Sequence, residues 1–525
     1  MPKVAVEKRG IDIYKLNLLH VVVIFLLCGC AAVGPDYERP QIDEPETFRF
    51  LDQNSANNLA NTKWWEQFQD PVLNDLIATA LEDNRDVKIA AARIEEYIGR
   101  YGTTRSQLFP QVGADANGGK QRETKNTGPL PMVPGVDRTY STYQGSISAS
   151  WEIDIWGKLR RQTEAARAEV LASEEGRRAV VLTLVSTVAA SYINLRDLDL
   201  QLEIAKATEE SRRASLKIFE LRYEASVISE MVLAQNRSEY EFAVASIPPI
   251  EIQIAQQENA LSLLLGRNPG PIPRGQSINN LDLPIIPEGL PSDLLERRPD
   301  IVQAEQNLIA ANAQIGAAKA LYYPTISLTG LLGVSSTQLS NLFSSSSGLW
   351  SFVGDASIPI FTAGGIAGQV KQSEAIQQQA LLEYQQSIQN AFSEVSNALI
   401  QHQKTKEQLA ALERELEALK TYTRLAILSY DNGYSSYIEV LDAETSLFSA
   451  ELNYAQVQGI FYTSMVDIYK SMGGGWVTQA EGMTELSTSE QPKSTAFEKP
   501  ESTTSELPEP SMLENIKGYF FQLFD

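Results

Sequence analysis

Several short stretches of the chain alternate between apolar and polar residues, the pattern of a β-strand with one face on lipid or a core and the other in water. The clearest stretch covers residues 143–155, and two more cover residues 326–334 and 352–360. Half of the polar positions of the first stretch are serines, and such small polar residues suit a water-filled lumen. Each half of the chain is predicted to contribute a strand pair, so we expect four strands per chain.

Two long stretches, residues 158–222 and 369–430, are rich in Ala, Glu, Arg and Leu and contain no proline, so we predict long helices. At ~1.5 Å per residue each helix would reach on the order of 100 Å, which suits a bridge across a compartment better than a globular domain. A turn and a shorter helix follow each long helix: the turns are predicted at residues 226–229 and 432–433, and the shorter helices at residues 230–265 and 439–472.

The same landmarks occur in the same order in both halves of the chain, which indicates a duplication. Pro110 recurs 214 positions later as Pro324, whereas Gly157 recurs 207 positions later as Gly364. The second half is therefore seven residues shorter between these landmarks, where a loop can shorten without disturbing its neighbours. The predicted fold class is α+β, mainly α, with two structural repeats.

Four strands are too few to close a transmembrane barrel, because the smallest single-chain barrels need about eight. An open sheet edge in lipid would also leave backbone groups unpaired. We therefore predict that several chains share one barrel. A small soluble sheet is the alternative, and an export signal at the start of the chain favours the barrel.

The chain begins with a basic segment and a mostly apolar segment, residues 16–27, that is too short to span a membrane; this is the pattern of a secretory signal peptide. A Leu-Cys-Gly-Cys sequence ending at Cys30 follows and resembles a bacterial lipobox. We predict cleavage before Cys30 and lipidation of Cys30, with palmitate among its acyl groups. Ala31 stands where an inner-membrane retention signal usually has Asp, which favours the outer membrane. An ordinary signal peptide cut nearby is the alternative.

The chain is acidic, with a formal net charge of −22 that becomes about −24 once the predicted signal peptide is removed. This charge disfavours nucleic acid as a partner. It suits either solubility or a passage that favours cations, and composition does not choose between them. The mature chain would keep one cysteine, already lipidated, so no disulfide is expected.

Residue types that carry catalysis or bind metals are scarce. The chain has two histidines, His20 in the predicted signal peptide and His402 between polar residues of a predicted helix. We expect His402 to be solvated and not to be a ligand. No glycine-rich phosphate loop precedes a helix, and the acidic residues show no spacing typical of a catalytic pair. We therefore predict no enzymatic activity, no metal site and no cofactor.

The turn between the two predicted helices of the second half is followed by two carboxylates. Gly433 permits the turn, and Glu439 and Asp442 lie three positions apart on one helix face. One interpretation is that the helix dipole favours these carboxylates at the start of a helix. In a symmetric oligomer they would also form a ring around the axis that selects cations. The two interpretations are compatible.

Four motifs are spread over most of the predicted mature chain: Gly34-Pro35-Asp36-Tyr37, Trp64-Trp65 with Asp70-Pro71, Leu294 to Ile301, and Tyr323-Pro324. Together they resemble the outer membrane factors, the TolC-like and OprM-like channels, and especially the lipoprotein branch that serves resistance-nodulation-division efflux systems. The resemblance implies a homotrimer with a twelve-stranded transmembrane β-barrel and a long antiparallel helical barrel across the periplasm. It implies no cofactor.

The resemblance also implies partners and a gate. An inner-membrane resistance-nodulation-division pump and a periplasmic adaptor protein would deliver small molecules, and the helical tip would open like an iris. In the family, residues of the second-half turn close the tip, and here those positions are Ser435, Tyr437, Glu439 and Asp442. Ser435 stands where TolC-like members have an arginine, which argues against a salt bridge there. Asp355, on the predicted lumen face of the barrel, is a further candidate for a pore-lining charge.

These observations divide the chain into five segments: a signal peptide at residues 1–29, a lipidated extension at 30–62, two repeats at 63–268 and 269–476, and a tail at 477–525. The tail is rich in Glu, Ser, Thr and Pro and is predicted to be disordered, with a short amphipathic helix or a weakly ordered end. Two other functions stay open, a type I protein secretion channel and a periplasmic coiled-coil scaffold or adhesin.

Overall fold

The computed structural model describes residues 32–42, 63–122, 139–286 and 291–474. This part contains both repeats and a segment that precedes them. Cys30, the predicted signal peptide and the predicted tail lie outside the described residues.

The first repeat consists of two helices, a strand pair and two further helices. After a 3₁₀ turn at Trp64–Phe68 these are α1 (Pro71–Asp83), α2 (Arg85–Ser106), β1 (Gln111–Arg122), β2 (Thr139–Ile153), α3 (Lys158–Glu224) and α4 (Glu230–Leu264). The start of α1 is fixed because the Asp70 carboxylate accepts hydrogen bonds from the backbone N–H groups of Val72 and Leu73, at 2.9 and 3.4 Å.

The second repeat has the same order of elements. These are α5 (Pro291–Arg297), α6 (Pro299–Ala320), β3 (Thr325–Ser336), β4 (Gly348–Ser357), α7 (Gly365–Asp431) and α8 (Tyr437–Ser471). Four of the six equivalent pairs have equal lengths: 22 residues in α2 and α6, 12 in β1 and β3, 67 in α3 and α7, and 35 in α4 and α8. The predicted duplication and the predicted long helices are confirmed.

In the described part of the chain the strands form one four-stranded antiparallel sheet in the order β1-β2-β3-β4, in agreement with the predicted number of strands. Residues directly opposite each other in such a sheet share a face. One face is mainly apolar, with rows such as Val112, Ala149, Gly330 and Phe352. The other is mainly small or polar, with rows such as Gly113, Ser148, Leu331 and Ser351. Side chains of the apolar face are exposed, Val112 by 71% and Phe352 by 70%.

Two strands end earlier than the alternation predicts. β2 ends at Ile153 because the carboxylate of the next residue, Asp154, accepts hydrogen bonds from the backbone N–H groups of Leu159 and Arg160, at 3.1 and 2.9 Å, and so caps α3. β4 ends two residues before Pro359, which has no backbone N–H to donate to a strand partner. The prediction that these strands continue to residues 155 and 360 is wrong.

Helix α3 packs against α4, α6 and α8 at the centre of the helical part. Its residues Val188, Ile193 and Leu195 are fully buried. Among the helices of the described residues, α3 is the one with an 18-residue window apolar enough to cross a membrane, with a mean hydropathy of 1.4, and 56% of that window is buried inside the protein. The apolar character of α3 is therefore explained by its packing against the other helices.

Trp64 of the Trp-Trp motif packs against the second repeat, and Asp70 holds the linker, which is the segment that joins α4 to α5. Trp64 is fully buried and stacks on Tyr469 of α8, with 5.2 Å between the ring centroids. The Tyr192 hydroxyl of α3 donates to the Asp70 carboxylate at 2.8 Å and accepts from the backbone N–H of Gly275 in the linker at 2.8 Å. A side chain at Gly275 would collide with Asp70. The motif therefore serves the core.

Candidate functional site

The ends of the long helices that lie away from the sheet form what we call the tip. It consists of the turns at residues 225–229 and 432–436 and the first two helical turns of α4 and α8. Both turns have the same backbone geometry. The left-handed residue is Ser226 in the first turn, with φ of 59°, and Gly433 in the second, with φ of 76°. In each turn the next residue donates its backbone N–H to the carbonyl five residues earlier, at 2.9 Å.

An aromatic cluster joins the second turn to the first repeat. Tyr437 of α8 packs on Phe219 of α3 and on Tyr430 of α7, with ring centroids 4.3 and 5.1 Å away. The Arg222 guanidinium of α3 donates to the Tyr430 hydroxyl at 2.9 Å. Burial, with a smaller effect of the charge of Glu444, raises the pKa of Tyr437. The Tyr437 side chain is thus half-buried, and it packs against other residues of its own chain.

The other predicted gate residues of the tip fall into two groups. Ser435 is half-buried, and its hydroxyl has no hydrogen-bond partner among the described residues. Glu439 and Asp442 are exposed in the first turns of α8. The Asp442 carboxylate accepts a hydrogen bond from the Tyr422 hydroxyl of α7 at 3.3 Å. The tip therefore presents two carboxylates to solvent while Ser435 and Tyr437 pack against the chain.

A polar contact that no sequence motif marks ties three helices together below the tip. The Arg212 side chain of α3 is 5% exposed and forms an ion pair with Glu239 of α4. It also donates to the Thr445 hydroxyl of α8 at 3.2 Å, and Thr445 donates to the Glu239 carboxylate at 3.3 Å. Burial raises the pKa of the adjacent Glu444, and the charge of Arg212 opposes this shift. The partners are too far apart in sequence for a local pattern to reveal them.

The polar face of the sheet carries the fifth predicted site residue. Asp355 of β4 lies opposite Ser327 of β3. Asp115 of β1 lies opposite Ser146 of β2, on the same face. The sequence analysis did not identify Asp115, because β1 contains many small residues and its apolar and polar positions do not alternate clearly. The structure thus puts Asp355 and Asp115 on the sheet and the four other gate candidates at the tip, so the predicted residues form two separate sites.

Both repeats match the family described as outer membrane efflux protein, over residues 76–267 and 290–474. The chain belongs to this outer membrane efflux protein family.

Relatives of this efflux protein include components of named efflux systems. The cation efflux system protein CusC of Escherichia coli K12 is 37% identical over 469 residues, which cover 87% of this chain and 99% of CusC. The probable outer membrane lipoprotein SilC of Salmonella typhimurium is 37% identical over 470 residues, or 88% and 100% of the two chains. The solvent efflux pump outer membrane protein SrpC of Pseudomonas putida is 36% identical over 469 residues, or 88% and 99%.

Solved structures with the same fold are outer membrane channels. The CusC crystal structure matches with a TM-score of 0.76 at 34% identity, over 84% of this chain and 100% of that one. The open state of the Neisseria gonorrhoeae MtrE channel matches with a TM-score of 0.77 at 32% identity, over 85% and 99%. The efflux protein is therefore an outer-membrane channel component of an efflux system with the predicted α+β, mainly α fold, and the scaffold or adhesin alternative is set aside.

The efflux protein binds its own N-terminal segment, residues 32–42, which we call the strap. The backbone N–H of Val33 donates to the Trp156 carbonyl just after β2 at 2.9 Å. The Tyr37 hydroxyl donates to Glu305 of α6 at 2.9 Å. A side chain at Gly34 would collide with the backbone of α6. The strap therefore contacts both repeats, the end of β2 in the first and α6 in the second.

The prediction that His402 is solvated is wrong. Its side chain is 9% exposed, and its ring stacks on Phe461 of α8 at 4.8 Å between ring centroids. Its Nδ1 atom lies 2.9 Å from the Ser464 hydroxyl. Burial, aided by the charge of Lys406, lowers the pKa of His402 to about 4, so the ring is neutral at pH 7. Within the described ranges no group of three His, Cys, Asp or Glu side chains is placed to hold a metal ion.

Proposed function

We propose that this efflux protein works as a homotrimer whose three sheets close one twelve-stranded barrel in the outer membrane. The observation that carries the proposal is a sheet with an exposed apolar face and a polar face, whose two edge strands, β1 and β4, each have one side without a strand partner among the described residues. In lipid each edge needs a partner, because no water is present to satisfy its backbone groups. Three copies supply twelve strands, with the apolar faces toward lipid and the polar faces around a lumen.

The helices extend the passage into the periplasm. At ~1.5 Å per residue, α3 and α7 each span on the order of 100 Å. A ring of these helices with α4 and α8 from three copies would form the wall of a tube that ends at the tip. Solutes would pass through without any chemical step, so no catalytic residue and no cofactor is needed.

The tip is the proposed gate. Glu439 and Asp442 from three copies form acidic rings there, which favour cations. The aromatic cluster and Arg212 hold the α7–α8 pair against the first repeat in the closed state. An iris-like opening moves this pair outward, and a periplasmic adaptor drives it by binding the open tip more tightly than the closed one. An inner-membrane resistance-nodulation-division pump supplies the solute.

The strap supports the proposed lipid anchor. Cys30 precedes Val33 by three residues, a distance that extended chain covers in about 10 Å. Since Val33 is bound beside the end of β2, an acyl group on Cys30 would enter the membrane next to the barrel. The anchor then adds membrane affinity to that of the barrel.

The cargo is proposed to be small solutes chosen by the pump. The named relatives include a cation efflux protein and a solvent efflux protein, so their names do not favour one solute class. Deleting the gene tests this proposal: we expect sensitivity to metal ions or drugs with an unchanged set of secreted proteins. Loss of a secreted protein instead would support the type I secretion alternative.

The channel itself is tested with the purified, lipidated protein. We expect a mass of three chains in mild detergent and discrete conductance steps in planar bilayers. A monomer that conducts no ions after reconstitution would contradict the proposed trimeric channel.

A further inference from the structure

A cavity in the helical part of the chain contains a buried carboxylate. It has a volume of about 600 Å³ and lies where α4 and α8 flank α3. Among the described residues that line it, Asp197 alone carries a charge. Five others carry amide side chains, namely Asn194, Gln201, Gln253, Gln257 and Gln456. Asn194, Gln253 and Gln456 are exposed, so the cavity is open to solvent.

The Asp197 carboxylate has no cationic partner in the described part of the chain. The residue is 4% exposed. Its Oδ2 atom accepts a hydrogen bond from the Gln201 amide at 3.0 Å, whereas its Oδ1 atom has no hydrogen-bond partner. Burial, opposed by the hydrogen bond from Gln201, raises the pKa of Asp197 to about 6. Because burying an unpaired carboxylate costs free energy, a bound group with a positive charge would be favoured here.

The second repeat shows that the helices do not need this carboxylate in order to pack. Lys404 of α7 occupies the position equivalent to Asp197, and it is exposed and paired with Glu407 at 2.8 Å. A side chain at Gly459 of α8 would collide with Asp197, whereas the equivalent position in α4 is Ile252. The first repeat thus keeps a costly buried charge, and the space for it, at a position where the second repeat has neither.

The cavity opens on the side of the helices away from the linker. Each of the three helices contacts the linker through one side chain, namely Tyr192 of α3, Glu258 of α4 and Tyr462 of α8. The cavity residues Asp197, Gln253 and Gln456 lie five or six positions from these, which is about 120–140° around each helix. In the proposed tube the linker lies outside, because three copies of it would obstruct the passage. The cavity therefore faces the lumen.

We propose that this cavity binds organic ammonium ions on their way through the tube, with the Asp197 carboxylate as their counter-ion. The proposal rests on the channel of the proposed function and assigns a class of solute to its lumen. The ammonium group replaces the Gln201 amide as the donor to Asp197, which requires one flexible side chain to turn away. Leu198 and Ile460, which also line the cavity, contact the apolar part of the solute.

A metal ion suits the cavity less well than an organic cation. Hard metal ions such as Ca²⁺ take about six to eight oxygen ligands, several of them carboxylates. The cavity supplies one carboxylate, and the structure brings no three His, Cys, Asp or Glu side chains together for a metal within the residues that it describes. A volume of about 600 Å³ is also in the range of sites for small organic molecules.

Calorimetric titration of the protein in mild detergent with benzylammonium tests the site. We expect Asp197→Asn to weaken binding by about tenfold or more, because a neutral amide cannot pair with the charge. Gln201→Ala removes the competing donor and should bind at least as tightly as wild type. The matched control is Glu203→Gln, which removes an exposed carboxylate from another face of α3 and should bind like wild type. Benzyl alcohol, which has the ring without the charge, should not bind.

Conductance in planar bilayers places the site in the passage. Benzylammonium should reduce the wild-type current at about tenfold lower concentration than the D197N current. Binding without any reduction of the current would overturn the location in the lumen. Thermal unfolding of each variant shows whether its fold is intact.

The two measurements separate the possible failures. A wild-type channel that conducts but does not bind benzylammonium would overturn the site and leave the channel standing. Equal affinities of wild type and D197N, or equal losses in D197N and E203Q, would also overturn the site. A wild-type protein that is monomeric and conducts no ions would instead overturn the proposed function.

Discussion

Ser226 and Gly433 occupy equivalent positions in the two turns of the tip, and both have a left-handed backbone, with φ of 59° and 76°. Serine in this conformation costs roughly 1–2 kcal/mol, whereas glycine adopts it freely. We expect Ser226→Gly to stabilise the protein by about 0.5–1 kcal/mol, after the extra flexibility of glycine in the unfolded chain is deducted. Thermal unfolding should show Tm higher by on the order of 1–2 °C.

A matched control is Ser229→Gly, because Ser229 is extended, with φ of −80°. That variant gains nothing in the folded state and should lower Tm. An equal rise in Tm for both variants would show that the gain does not come from the left-handed turn.

The acidic ring is tested by replacing both carboxylates of the second turn. Glu439→Ala with Asp442→Ala should reduce the ratio of cation to anion permeability severalfold in planar bilayers, because the trimer loses six negative charges at the proposed gate. Glu224→Ala with Glu230→Ala removes two exposed carboxylates beside the first turn and should leave the ratio close to wild type. Equal effects of the two pairs would argue against a gate built from the second repeat.

The lumen of the barrel provides a separate electrostatic test. Asp355 and Asp115 lie on the polar face of the sheet. Replacing both by Asn should lower single-channel cation conductance at low salt. The effect should disappear in ~1 M salt, where charges are screened beyond about 3 Å. A loss of conductance that persists at high salt would point to a change of barrel shape.

Arg212 is expected to stabilise the closed tip. Removing it by Arg212→Ala leaves the Glu239 carboxylate half-buried without its partner, so we expect a loss of about 2–3 kcal/mol. The double variant R212A/E239A should recover part of this loss, since no unpaired charge remains. Guanidine unfolding of the three proteins measures the coupling. Additive losses would mean that the two side chains do not interact.

The buried Asp197 should make stability depend on pH. Its side chain is 4% exposed, and burial, opposed by a hydrogen bond from Gln201, raises its pKa to about 6. The folded state therefore binds the proton more tightly than the unfolded state, whose pKa is about 3.9. The contribution to stability is complete below pH ~4 and is lost as the pH rises through ~6.

Asp197→Asn removes this penalty. It should raise stability at pH 8 by up to about 3 kcal/mol and change it little at pH 4. Asp199→Asn is the matched control, because Asp199 is paired with Arg274 at 2.9 Å and should lose stability at pH 8. A gain for D197N that is independent of pH would exclude the carboxylate charge as its cause.

The sequence predicts the elements well where their signal is local or repeated. Period-two alternation identified β2, β3 and β4, and a composition rich in Ala, Glu, Arg and Leu without proline identified both long helices. Contacts between distant residues left no such signal. His402 has polar neighbours in sequence, yet Phe461 and Ser464 of another helix bury it. Tyr437 likewise packs on Phe219, which lies more than two hundred positions away in the sequence, so no local pattern showed that the Tyr437 side chain is packed.

The equal length of α3 and α7, 67 residues each, has a consequence for any protein that meets the tip. Both helices start just beyond the sheet and rise by the same distance, so the two turns finish level with each other. In a trimer the rim would carry six turns of one backbone shape in alternation. The equivalent positions 230 and 437 hold Glu230 and Tyr437, and the equivalent positions 232 and 439 hold Val232 and Glu439. A protein that binds the rim would meet near-sixfold symmetry in backbone shape but only threefold symmetry in the positions of the carboxylates.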